Sequence, residues 1–206
     1  MVSVIIFDYD DTLVNSSKAL YKIEVRVIKS MSLKVPSEKE YFSLWGLPHS
    51  SMIKSMFPNI SINEYMKRYS DIYNPDSIKP FKCTLNVVNS LSKKYRLAVL
   101  SSKSMYFLKQ HLEHTKLYEY MDYVHAEDSS VYKKPDPRVF DDIIAHFDCQ
   151  PSDMLYVGDQ LGDFKAASGA GLDFVAVTTG VNSRSQFNSI GCKNVIGSLA
   201  SLYTIV

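Results

Sequence analysis

Val2-Ser3-Val4-Ile5-Ile6-Phe7-Asp8-Tyr9-Asp10-Asp11-Thr12 is where the reading of this chain turns. The apolar run has the length of a short buried strand. It ends at once in Asp8 and Asp10, two carboxylates one residue apart. Burying charge at a strand end is costly unless something cationic compensates it. The pattern therefore points to a metal or phosphate site rather than to packing.

Similar apolar runs recur downstream. Leu97–Leu100, Met154–Val157 and Phe174–Val177 read as strands, with weaker candidates at Tyr123–His125 and Asn194–Ile196. Each is near-continuous rather than alternating, as in parallel strands covered on both faces. Helical patterns lie between them. Thr84–Lys93 places Leu85, Val88 and Leu91 on one face, and Asp136-Pro137 reads as an N-cap followed by proline at the first helical position. Alternating strands and helices imply an α/β fold with a parallel sheet. Residues 16–79 break the rhythm. They hold no convincing strand but carry two capping-box patterns, Ser37–Glu40 and Ser61–Glu64. After the second, Ile62, Tyr65, Met66, Tyr69, Ile72 and Tyr73 form an apolar stripe that reads as core. The expected layout is an α/β core of residues 1–15 and 80–206 with a helical domain of residues 16–79 inserted.

Size and charge narrow the function. The 206 residues suffice for one domain and a modest insertion. The net charge of +1, and aromatics spread through the chain without a stacking signature of interleaved basic residues, argue against nucleic acid as partner. No segment has the length needed to span a bilayer, and no signal-peptide pattern is visible. Cys83, Cys149 and Cys192 are widely spaced and odd in number, which fits reduced thiols in a cytoplasmic protein better than a disulfide framework. Nothing in the sequence signals an oligomeric state.

In open parallel sheets ligands bind beyond the carboxyl ends of the strands. Asp8 and Asp10 follow the first strand, Ser101-Ser102-Lys103 the second long one, and Gly158-Asp159 with Asp163 the third. Lys133-Lys134-Pro135 precedes a capped helix. Four carboxylates, a hydroxyl and a lysine would thus converge on one edge. Hard oxygen ligands of this kind suit magnesium, which keeps several waters and takes one or two carboxylates plus a phosphate. A zinc-type His/Cys cluster, a GxxxxGK[ST] loop and a GxSxG elbow are all missing.

Four stretches resemble, in order, the motifs of the haloacid dehalogenase (HAD) superfamily. Phe7-Asp8-Tyr9-Asp10-Asp11-Thr12-Leu13-Val14 is similar to the first motif, a strand then DxDGT. Leu97–Ser101 is similar to the second and Lys134-Pro135 to the third. Tyr156-Val157-Gly158-Asp159-Gln160-Leu161-Gly162-Asp163 is similar to the fourth, GDxxxD. The stretch Val175–Val206 resembles the closing strand-helix-strand-helix. The resemblance implies a Rossmann-like parallel-sheet core with an inserted α-helical cap, as in the phosphoglycolate phosphatase and β-phosphoglucomutase branch.

It also implies roles. Asp8 would be the nucleophile that forms an aspartyl-phosphate, and Asp10 the general acid and then base. Asp8, Asp159, the Asp10 backbone carbonyl and Asp163 would hold Mg2+, with Asp163 also readable as a helix N-terminal acid. Ser101, with Ser102 beside it, and Lys134 would bind the phosphoryl group; Ser101 also reads as a helix N-cap, and spacing alone does not separate Lys134 from Lys133. Gly158 would give the backbone room beside the metal. Two positions depart from the family pattern. Asp11 stands where glycine is usual, and Asn15 where many relatives carry Asp. Trp45 or His49 in the insert could face substrate, although Trp45 reads more simply as a packed aromatic and His49 as a surface histidine; His111, His114, His125 and His146 read as structural. The expected function is a Mg2+-dependent phosphatase acting on a small phosphorylated metabolite. A phosphomutase and a non-catalytic binding protein with the same fold are the alternatives.

Overall fold

A computed structural model describes residues 2–206; Met1, assigned above to the core, lies outside the described residues. Six parallel strands form the central sheet: β1 (Val4–Phe7), β4 (Arg96–Leu100), β5 (Tyr123–His125), β6 (Met154–Gly158), β7 (Asp173–Val177) and β8 (Asn194–Ile196), in the spatial order β5-β4-β1-β6-β7-β8. β1 lies in the middle, with Phe7 level with Val99 on one side and Val157 on the other. The order reverses between β1 and β6. That crevice is the place where an open α/β sheet presents its ligand site.

Alternate residues along each strand enter different cores. Ile5, Phe7, Leu97, Val99, Leu155 and Val157 join one cluster, whereas Val4, Ile6, Ala98, Leu100, Met154 and Tyr156 join the other. Both faces are covered, which is why these strands read as continuous apolar runs. Helices α5 (Thr84–Leu91) and α6 (Met105–His114) supply the first cluster; α7 (Asp141–Phe147) and α8 (Leu161–Ala170) supply the second. Asp136 accepts from Arg138 N as expected, but the chain first makes a 3-10 turn over Pro137–Phe140 before α7 begins. At the carboxyl end, α9 (Arg184–Ser189) and β8 appear as expected, and the final element is a 3-10 helix, Leu199–Thr204.

Residues 16–79 hold α1 (Ser17–Ser30), α2 (Glu38–Ser43), α3 (His49–Met56) and α4 (Ile62–Ile72). The Ser37/Glu40 box is complete, while Ser61 accepts from Glu64 N. Helix α1 buries Leu20, Ile23, Val27 and Ile28 on one stripe and packs on α4, which buries Tyr65 and Tyr69. The chain leaves and re-enters the core through two adjacent short strands, β2 (Val14–Asn15) and β3 (Lys79–Pro80), paired antiparallel. Among the described residues no helix is long and apolar enough to cross a membrane.

His111 on α6 is buried, stacked on Tyr73 with ring centroids 5.2 Å apart and 5.7 Å from Tyr9. Neither ring nitrogen has a hydrogen-bond partner among the described residues. Burial pushes its pKa down to about 4; nearby Asp10 opposes the shift and His114 adds to it. Between about pH 6.5 and pH 4 the unfolded chain takes up a proton that the folded one refuses, so stability falls as pH drops through that window. We expect a loss of about 3 kcal/mol from this group. His111→Phe should flatten that part of the pH dependence in denaturant titrations.

Candidate functional site

Asp8 is the first residue beyond β1, and its backbone N donates to Val157 O at 2.8 Å, which ties it to the neighbouring strand. The chain then turns sharply, with Leu13 N and Val14 N both donating to Tyr9 O. Asp11 makes the turn at a φ of +55°, the conformation that favours glycine. Its side chain explains the departure. Asp11 Oδ1 accepts from Ser16 N at 3.1 Å and from Ser17 N at 3.0 Å, so it caps α1, whose own N-cap residue Ser16 makes no side-chain cap bond. Asp tolerates positive φ better than most residues. Asp11→Ala should therefore lower stability by about 2 kcal/mol through the lost cap and the strained turn. Asp11→Asn, which keeps the acceptor, should cost well under half of that in the same denaturant titration.

Asp8, Asp159 and Asp163 present carboxylate oxygens within 4.8 Å of one another, and all three residues are buried. Asp159 follows β6, and Asp163 sits in the first turn of α8. Lys134 Nζ lies 2.7 Å from Asp8 Oδ1 and 2.7 Å from Asp163 Oδ1. Burial pushes the Asp8 carboxyl up to about 7; Lys134 pulls it down, and Asp163 and Asp10 push it further up. Burial likewise holds Asp159 well above the usual carboxylate range, with Asp8, Asp163 and Asp11 adding to the effect. Lys134 is held well above its ordinary value, because Asp163 and Asp8 outweigh its burial. Three buried acids share one lysine, and burial resists ionising all three without a further cation. That donor set fits a hard divalent cation such as Mg2+.

Asp10 faces a different partner, Lys103 Nζ at 3.1 Å from its Oδ2. Burial raises the Asp10 carboxyl, but Lys103 and then His111 outweigh it and leave it below the ordinary value. Of the adjacent lysines, Lys134 reaches the acids, while Lys133 bonds the carbonyls of Glu127 and Ser130. Ser101 is buried and its Oγ accepts from Lys103 N at 3.2 Å; the N-cap of α6 is Ser104, not Ser101. Ser102 Oγ donates to Gly46 O at 3.1 Å, joining the core to the helical segment. Asp163 accepts from Gln160 N, so its role as a helix N-terminal acid coexists with its place in the acidic trio.

Several contributors went unread in the sequence. Tyr156 OH bonds both Lys134 Nζ and Asp163 Oδ1, at 3.1 Å each. Thr12 Oγ1 and Gln160 Nε2 donate to the two oxygens of Asp159. A Cβ on Gly180 would lie 1.8 Å from Asp159 Oδ2, and one on Gly158 2.5 Å from Asp163 Oδ2. Both positions exclude any side chain; Gly158 was expected to do so and Gly180 was not. Above the acids lies a cavity of about 190 Å³ between the sheet edge and residues 20–69 of the helical segment.

A family model described as haloacid dehalogenase-like hydrolase matches residues 5–177. A phosphoglycolate phosphatase of Nitrosospira multiformis is 36% identical over 105 residues, which is 51% of this chain and 46% of that relative, so the alignment spans less than half of it. A pyrophosphatase PpaX of Anoxybacillus flavithermus is 20% identical over 100% of this chain and 97% of its own length. The crystal structure of CbbY from Rhodobacter sphaeroides in complex with phosphate superimposes with a TM-score of 0.86 at 19% identity, covering 98% of this chain and 96% of that one. This last likeness shows the shared fold.

Proposed function

The chain belongs to the haloacid dehalogenase-like hydrolase family, and on that premise we propose that it is a Mg2+-dependent phosphatase of a small phosphorylated metabolite, working through an aspartyl-phosphate. The observation that carries this reading is the buried trio Asp8, Asp159 and Asp163 with Lys134 wedged between two of them. Asp8, Asp159 and Asp163 would hold the cation, which when bound neutralises charge on the phosphoryl oxygens.

Asp8 attacks phosphorus in line, forming the bond to its carboxylate oxygen as the ester P–O bond breaks. Asp10 gives its proton to the departing oxygen. Lys103, with His111, favours ionised Asp10, but an arriving phosphate dianion opposes them and favours the protonated form. In the second half, Asp10 takes a proton from water, whose oxygen attacks phosphorus and releases Asp8. Lys134 holds the Asp8 carboxylate in place. Residues 16–79 act as a cap that closes over the cavity, excludes bulk water and selects the substrate. The Ser102–Gly46 contact supports this closed arrangement.

Phosphate release from a panel of phosphomonoesters tests the reading. Release is expected with Mg2+, background with EDTA, and recovery with excess Mg2+. A mutase would return an isomeric ester instead of free phosphate. No release under any metal condition, or release indifferent to metal stripping, would overturn the proposal.

A further inference from the structure

The cavity above the acids has an uneven lining. Leu20, Tyr41, Trp45, Met52, Met66 and Tyr69 give the helical segment's side an apolar, largely aromatic surface. Among the described residues, no lysine or arginine of that segment lines it. The two lysines that reach the cavity from the core are already ion-paired, Lys103 with Asp10 and Lys134 with Asp8 and Asp163. The one carboxylate on the helical side is Glu24, 1% exposed, held by His49 Nε2 on one oxygen and by Tyr65 OH on the other. These three residues come from α1, α3 and α4, so the carboxylate is fixed by helix packing and does not swing away. His49 stays partly open beside it, with its ring edge-on to Tyr69 at 4.6 Å.

From this lining, and resting on the phosphatase reading above, we propose that Glu24 with His49 determines specificity: the leaving group is an uncharged or cationic alcohol with an apolar body, and anionic leaving groups are rejected. The carboxylate of phosphoglycolate and the second phosphoryl group of pyrophosphate would meet no lysine or arginine on the helical side, only Glu24 and the His49 ring whose Nε2 Glu24 already engages. An apolar body meets Trp45, Met66 and Tyr69. A like charge in a partly desolvated cavity costs enough to separate such substrates by about tenfold or more in kcat/KM.

Three esters of matched size and reactivity test this: benzyl phosphate, para-carboxybenzyl phosphate and para-(aminomethyl)benzyl phosphate, each with the full-length enzyme and Mg2+. The carboxylated ester should have a kcat/KM at least about tenfold below benzyl phosphate, with the difference mainly in KM. The cationic ester should match or exceed benzyl phosphate. Glu24→Gln should narrow the gap between the carboxylated and cationic esters. Met66→Lys, which leaves the Glu24 network intact, should narrow it as well and keeps the test open if Glu24→Gln does not fold. Equal turnover of the carboxylated and benzyl esters, or a ratio unmoved in folded Glu24→Gln and Met66→Lys, would overturn this inference while leaving the phosphatase reading standing. Release from none of the three would overturn this inference, and the phosphomonoester panel decides separately whether the phosphatase reading stands.

Discussion

Asp8→Asn should abolish phosphate release, lowering turnover by about 10⁴-fold or more, while the protein stays folded. Loss of a nucleophile is among the most damaging single changes an active site can suffer, since neither half-reaction then has a covalent partner. The structural cost should be small. Lys134 keeps Asp163 at 2.7 Å, and the buried cluster loses an acid whose ionised form burial disfavours. A carboxyl raised to about 7 by burial and by its acidic neighbours opposes folding when ionised, and that cost is fully present above pH 7 and fades as pH falls toward the unfolded value. Metal-free Asp8→Asn should therefore unfold at the same denaturant concentration as the parent, or a higher one, when compared above neutral pH. Circular dichroism alongside phosphate release checks both halves. A folded Asp8→Asn protein that still turns over would remove Asp8 from the chemistry.

Lys134→Met should fail differently. The substitution preserves most of the side chain's length and apolar contact but leaves Asp8, Asp159 and Asp163 with no cation among them. Breaking a buried ion pair by removing one partner costs about 3–5 kcal/mol, because the remaining charges stay buried. Activity should fall about 10²- to 10³-fold, as expected when a group that balances transition-state charge is lost. The stability deficit should be largest in EDTA and shrink with Mg2+, since a ligand that binds only the folded state shifts unfolding toward higher denaturant. If Mg2+ stabilises neither the parent nor Lys134→Met, the acidic trio does not take the cation.

The parts of this molecule that were legible in sequence share a physical cause. Strands covered on both faces read as unbroken apolar runs, so β1, β4, β6 and β7 stood out within a residue or two of their ends. The acids stood out because a carboxylate immediately after such a run has no packing explanation. What escaped notice was short or long-range. β2 and β3 are two residues each and carry no periodicity. Tyr156 sits in a strand where it passes for one more apolar residue; the usable signal was that a buried phenol needs a partner. Glu24, His49 and Tyr65 are separated by 25 and 16 positions, and only the packing of three helices brings them together. For the same reason His49 could be placed facing substrate or at the surface, but not against Glu24. Asp11 read only as a departure from the family's glycine, because its role as a cap for α1 requires knowing that the loop bends back over Ser16 and Ser17.

The stereochemical course at phosphorus tests the central claim, that Asp8 takes the phosphoryl group before water does. A thiophosphate ester made chiral with oxygen isotopes is hydrolysed in isotopically labelled water, and the configuration of the released thiophosphate is read. Two successive in-line displacements, first by Asp8 and then by water, predict net retention. Net inversion would mean that water attacks the ester directly and would contradict the account.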